Sequence, residues 1–168
     1  MIQVEELVKK AKRLKGCKKG VEQLKSCKTI QEMINCLYDN IDYCIAKGFP
    51  SKDELQKLDK GIRHAAGIYI DENITIRDPK RLLLINSNVS VIVGSYNVCR
   101  AYLVGKSTIA IESSGCAITM IDALGDSSIS VKANEPSKVI ASLYANAKIE
   151  LNEGAVKVIQ KDQETYEL

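Results

Sequence analysis

One small residue returns every ten positions between Ser87 and Ala147, and that interval constrains the fold of this chain more than anything else in it. The series is Ser87, Asn97, Ser107, Ala117, Ser127, Ser137 and Ala147. Two places further on stand Val89, Cys99, Ile109, Thr119, Ile129, Val139 and Ile149, and four places on stand Val91, Ala101, Ile111, Ile121, Val131, Ala141 and Leu151, every one apolar or β-branched. Ten is even, so each unit keeps the same side chains on the same face of a strand. Alternate strands of an antiparallel meander would read backwards, and these do not. A unit too small to bury its own apolar face stacks on its copies, which is the logic of a solenoid.

The outward positions set the length of one coil. Units opening at Ser87, Ser107, Ser127 and Ala147 turn out mostly polar residues: Asn88, Ser90, Thr108, Glu112, Ser128, Ser130, Lys132, Lys148 and Glu150. Those opening at Asn97, Ala117 and Ser137 turn out Val98, Tyr102, Val104, Ile118, Met120, Leu124, Ile140 and Tyr144. The interior repeats every ten residues and the exterior every twenty, so each coil has two strands. The expectation is an α+β chain: an N-terminal helical region, then a two-sheet, right-handed parallel β-solenoid of about 20 residues per turn, one sheet polar outside and the other apolar. Five or so coils at strand spacing make a stack roughly 24 Å long.

Upstream of the repeat the period is helical. Val4, Leu7, Val8, Ala11 and Leu14 form one stripe ending near Gly16. Val21 to Leu24 reads as a short helical piece. From a cap at Thr29, the stripe Ile30, Met33, Ile34, Leu37, Ile41, Cys44 and Ile45 reads as one helix stopping at Gly48. Phe49 and Pro50 break the chain, and Ser51 with Glu54 forms a capping box for a helix through Leu58. His64 lies beyond Gly61 without evident titratable neighbours, a structural rather than a catalytic placement. The domain reading is a basic helical region over 1–62, a solenoid over 67–160 and a polar tail over 161–168. Residues 67 to 85 serve as the entry cap, with Ile68, Ile70, Ile74 and Ile76 as first strands. At the far end Glu153 takes an inward position, and Gly154 to Ile159 lose the register.

Charge is unevenly spread. Residues 1–28 hold nine Lys or Arg against three Glu, a surplus of six in a chain whose net charge is +3. Lys9, Lys10, Lys12, Arg13, Lys15, Lys18 and Lys19 are the candidate anion contacts. A solvated helix face is the commoner reading of such a run, and no aromatic residues interleave it to stack on bases. No apolar run reaches the roughly 20 residues of a membrane span, and the start lacks a secretory pattern, so the chain reads as cytoplasmic without a membrane span.

The six cysteines, Cys17, Cys27, Cys36, Cys44, Cys99 and Cys116, show no zinc-knuckle spacing, and His64 is the single histidine. They read as reduced small hydrophobes, with Cys116 at a turn the one to watch for reactivity. No cofactor or metal is expected. Single glycines at Gly94, Gly105, Gly115 and Gly125 are turn residues with positive φ, not a phosphate loop. Glu112 and Asp122 fall on opposite sheets and so are kept apart as an acid–base pair. Asp71, Glu72 and Asn73 lack the later ligands and glycine of a calcium loop. The six-residue period and solenoid histidine of hexapeptide acyltransferases are missing, and the coils are too short for the groove of a polysaccharide lyase.

Together, Cys36 and Cys44 in a helical stretch, the Phe49-Pro50-Ser51 break, Gly67-Ile68-Tyr69-Ile70-Asp71 and decads such as Asn146-Ala147-Lys148-Ile149 resemble small proteins of gut bacterial genomes and their phages. That resemblance implies a helical head on a decapeptide solenoid and carries over no site residues. More distantly the repeat looks like the bactofilins, polymerising solenoids whose glycine-punctuated triangular coil is not found here.

What remains is the apolar outer sheet, larger than the few hundred Å² a soluble monomer tolerates. Either the N-terminal helices cover it or it meets a protein partner or another subunit, with Val98, Arg100, Tyr102, Ile118, Met120, Ile140 and Tyr144 as candidate interface residues. The leading functional expectation is a non-enzymatic interaction or assembly module, phage- or mobile-element-encoded. The alternative is a nucleic-acid-directed module, or an inhibitor of a host nucleic-acid machine such as a defence complex, acting through the basic helices.

Overall fold

The structure is a computed structural model that describes residues 4–168; the first three residues of the expected helical region lie outside it. The chain divides into two compact units, one running to Ile62 and including Tyr166–Leu168, the other Arg63–Thr165.

In the first unit five helices follow one another: α1 (Val4–Arg13), α2 (Lys18–Ser26), α3 (Ile30–Asp39), α4 (Ile41–Lys47) and α5 (Lys52–Gln56). A sixth, α6 (Lys60–Ala65), spans the boundary. The short piece expected around Val21 is a full helix of nine residues that takes in Lys18 and Lys19. Thr29 and Ser51 both close reciprocal capping boxes, with Glu32 and Glu54. The single helix expected from Ile30 to Ile45 is two. At Asn40 (φ −125°, ψ 34°) the side-chain Nδ2 takes the Cys36 carbonyl at 2.8 Å, and the backbone N–H falls back to Leu37 O at 3.2 Å. A side-chain amide thus replaces the bond that would have continued the helix, a competition the apolar spacing does not register. Gly48, at φ 55°, supplies the left-handed C-cap.

The second unit is the solenoid. Its strands are β1 (Ile68–Ile70), β2 (Asn73–Arg77), β3 (Arg81–Ile85), β4 (Asn88–Val93), β5 (Val98–Val104), β6 (Thr108–Ser113), β7 (Ile118–Ala123), β8 (Ser128–Ala133), β9 (Lys138–Leu143), β10 (Lys148–Gly154) and β11 (Val156–Gln160). Odd strands form a six-stranded sheet in the order β1-β3-β5-β7-β9-β11, and even strands a five-stranded sheet in the order β2-β4-β6-β8-β10. Every pairing is parallel, and the regular coils stack twenty residues apart: Asn88 on Thr108, Thr108 on Ser128, Val98 on Ile118, Ile118 on Lys138. The chain winds one way through roughly four turns of about 20 residues each.

The core is built of columns. Val89, Ile109 and Ile129 stack in one; Val91, Ile111 and Val131 in another; Cys99, Thr119 and Val139, then Ala101, Ile121 and Ala141, face them from the other sheet. Val93, Leu103, Ala123, Ala133 and Leu143, six places into their units, are buried as well. The small repeat residue is the corner between sheets. Ser107 Oγ lies 2.8 Å from Val104 O and 3.1 Å from Leu84 O, and Ser127 Oγ lies 2.7 Å from Leu124 O and 3.2 Å from Gly105 O. Each hydroxyl therefore serves a carbonyl of its own coil and one of the coil before. At Gly125 (φ 69°) a Cβ would come 3.1 Å from Gly105 O, so the corner also needs glycine. Gly94 is a turn residue without positive φ; its N–H is held by Asp78 Oδ1 at 2.8 Å.

Both ends depart from the decapeptide. The entry cap is made of strands in register with the stack, at a shorter offset: Ile68 pairs with Leu83 and Asn73 with Asn88, fifteen residues on. At the exit, β10 bulges between Ile149 and Leu151, so Leu151 pairs with outward Ser130, and Glu153 with outward Lys132. Leu151 and Glu153, expected inward, therefore point out, because one extra residue reverses strand parity. The segment from Gly154 to Ile159 leaves the decapeptide register, as expected, but stays in the stack: β11 pairs with β9 at an offset of seventeen residues, from Val156 on Val139 to Gln160 on Leu143. The tail is tied as far as Gln163, whose carbonyl accepts the Ala145 N–H at 2.9 Å.

Ser127→Ala removes a buried donor from two carbonyls and should cost about 1–3 kcal/mol. Ser90→Ala, on the solvated side of β4, should stay within about 0.5 kcal/mol of wild type, both measured by urea unfolding.

Candidate functional site

Three of the exposed large hydrophobic side chains among the described residues gather at one edge of the solenoid. Tyr96, in the turn before β5, is 82% exposed; Val98 opens β5 at 49%, and Ile118, its partner in register, opens β7 at 40%. Beside them on the outer face of the six-stranded sheet lies a groove of about 230 Å³ across β5, β7 and β9, lined by Arg100, Tyr102, Met120, Asp122, Ile140 and Ser142. Register explains the grouping: Arg100, Met120 and Ile140 form one outward column, and Tyr102, Asp122 and Ser142 the next. The groove has an apolar floor, with a cation on one column and a carboxylate on the other.

Of the seven interface residues expected from sequence, the structure brings six onto this strip: Val98, Arg100, Tyr102, Ile118, Met120 and Ile140. Tyr144 is a correction. Together with Leu124 it is buried, and burial with the Asp122 charge pushes its phenol pKa up, so it is a structural side chain and not a contact. Tyr96 was missed. It stands at φ 60° in a turn, outside both alternating patterns, so periodicity could not flag it; an aromatic residue between polar turn residues was the available signal.

The basic residues divide. Lys10 Nζ is held by Glu54 Oε2 at 2.7 Å and lies 5.9 Å from the Phe49 ring centre, a structural role that takes it out of the anion-contact set. Lys9, Lys12, Arg13, Lys15, Lys18 and Lys19 are exposed. Lys18 and Lys19 open α2, whose first turn carries no acid, so two cations stand where the helix dipole already favours an anion.

His64 is not isolated. Its Nε2 lies 2.7 Å from Glu72 Oε2, and Arg63 reaches Glu72 Oε1 at 3.2 Å. The His64 ring packs on Tyr69 at 4.7 Å, and the Glu72 N–H donates to Ser87 Oγ at 3.1 Å. These contacts fasten the end of α6 to the first coil. Glu112 and Asp122 lie in different sheets.

All six cysteines are free thiols. Burial pushes Cys36 up to about 11, and Cys44 and Cys99 to about 12, which makes them poor nucleophiles. Cys17 and Cys116 are exposed, and Cys17 Sγ caps α2 by accepting the Gly20 N–H at 3.3 Å. Among the described residues no group of three or more His, Cys, Asp or Glu is placed to hold a metal ion. No helix there is long and apolar enough to cross a membrane. The helical unit forms an apolar pocket of about 70 Å³ walled by residues such as Leu7, Val21, Ile34, Leu37 and Phe49. Its polar wall atoms are engaged elsewhere, Asn40 Nδ2 on Cys36 O and Tyr43 Oη on Ala11 O.

No protein family matches the chain, and neither a curated protein nor a solved structure does.

Burial of Glu54 works to raise its pKa, but hydrogen bonds from Lys10 and the Ser51 N–H outweigh it and hold the carboxyl below its ordinary value. A depressed folded-state pKa gives stability that is present above the unfolded value near 4.5 and is lost as pH falls through the folded one. Glu54→Gln should therefore lower stability at neutral pH and flatten the acid limb of helix unfolding, followed by circular dichroism between about pH 6 and 3.

Proposed function

We propose that this protein is a non-enzymatic interaction module that grips an apolar segment of a partner protein along Tyr96, Val98, Ile118 and the adjoining groove. The single observation behind this reading is the gathering of three exposed large hydrophobics beside a groove with an apolar floor and charged margins. Water-facing apolar side chains are costly in a cluster, and aromatic, Met and Arg residues are the types that carry contact energy at protein interfaces. Arg100 and Asp122 give the groove a polarity, so the segment it suits has an acidic residue on one side of its apolar anchor and a basic one on the other.

Ile118→Lys and Met120→Lys should weaken a purified partner by roughly 30-fold or more, the loss expected from a hot-spot residue. The partner would first be found by affinity capture from the native host, comparing wild type with both variants. If every captured protein is retained equally by the variants, the strip is not the contact.

A second reading rests on α2, where Lys18 and Lys19 stand at an anion-favouring helix start with exposed Lys9, Lys12, Arg13 and Lys15 close in sequence. In that reading the basic helices contact nucleic acid, as an inhibitor of a host nucleic-acid machine would. Six phosphate contacts imply an affinity for duplex DNA that falls about 10³-fold between 50 and 200 mM salt. Gel shifts at low salt showing no retardation at micromolar protein would remove it.

A further inference from the structure

We propose that the C-terminal coil is a self-association surface, on which a second copy of this chain docks tail to tail by antiparallel pairing of β10 with its counterpart. The inference is independent of the groove, which uses β5, β7 and β9.

β10 and β11 are the last strands of their sheets, so each has a strand neighbour on one side only. Such an edge is a template for pairing unless something covers it. Among the described residues nothing buries β10: of its side chains only Ile149 is half-buried, and the rest are exposed. Leu151, turned outward by the bulge, is 47% exposed, and Val158 on the neighbouring edge is 37% exposed. At the opposite end β1 is buried along its length, while β2, the far edge of the sheet that holds β10, alternates exposed and half-buried residues. The large apolar side chains exposed on an edge strand, Leu151 and Val158, are both at the exit, which favours a closed pair of exits over an open head-to-tail filament.

The charges on β10 are self-complementary. Lys148 stands near its start and Glu153 near its end, both on the outward side, where they pair with Ser128 and Lys132. An antiparallel pairing that sets Lys148 against Glu153 of the second copy also sets Ile149 against Asn152, and these two share the inward side, on Ile129 and Val131. Two-fold symmetry makes the Lys148–Glu153 contact twice. Within one chain Lys148 already meets Glu150 at 2.9 Å, but both are well exposed, and such a pair contributes little that a cross-chain partner would have to overcome. Two short edge strands fall below the roughly 1,000 Å² of a lasting interface, so the dimer is weak and concentration-dependent.

Sedimentation velocity on the full chain from about 10 to about 500 µM should show monomer giving way to dimer. Lys148→Glu and Glu153→Lys should each weaken association about tenfold or more, and the double exchange K148E/E153K should restore it. Leu151→Ser should weaken it too, and all three positions are exposed, so folding checked by circular dichroism should not change. A chain that stays monomeric throughout, a dimer that neither single reversal weakens, or a double exchange that fails to rescue overturns the proposal.

Discussion

The structure depends on one constraint, the parallel register that sets each residue of a coil beside its equivalent twenty positions on. In that register an apolar side chain is covered above and below by another from the same column, so Ile109 is sandwiched between Val89 and Ile129. Backbone pairing and apolar burial are satisfied by the same displacement, which is why the repeat tolerates little drift between Ser87 and Ala147. A one-residue slip would turn the whole interior face to water. The corners carry the same constraint. Serine hydroxyls at 107 and 127 bond carbonyls of two successive coils, joining stacking to turning.

A stack of this kind has two weak places, its outer face and its ends. On the outer face parity determines chemistry: each outward column is a line of residues spaced by one strand, so a few substitutions over forty residues create a surface. The column Arg100, Met120, Ile140 beside Tyr102, Asp122, Ser142 arises in that way, and its groove needs no loop or insertion. At the ends the stack meets its opposite problem, an interior with no next coil. At the entry, Arg63 and His64 hold Glu72, just before β2. The exit is managed by a bulge that carries Glu153 from the interior to the outside, at the expense of exposing Leu151.

Much of the candidate site could be read before any coordinates, because outward positions follow from inward ones by alternation. Val98, Ile118, Met120 and Ile140 were placed by that rule alone. Tyr144 was misplaced by the same rule: alternation gives the side of a strand, not what lies over it. Lys10 shows the same limit, since its spacing on a basic face is identical in kind to that of Lys9 and Lys12, and only the fold brings Glu54 and Phe49 to it. Asn40 and the bulge at β10 escaped for a different reason. Each is a hydrogen-bonding choice made by one or two residues, and a pattern averaged over a window does not resolve it.

By itself the sequence determined the parallel two-sheet stack, the twenty-residue coil and the contrast between polar and apolar outer walls, since these follow from covalent alternation and repetition along the chain. Tertiary structure alone decided which outward residues meet water, which cation is spent on an ion pair, and how each end of the stack is closed. Those outcomes depend on groups far apart in sequence arriving at one place, where burial and hydrogen bonding, not periodicity, set the energy.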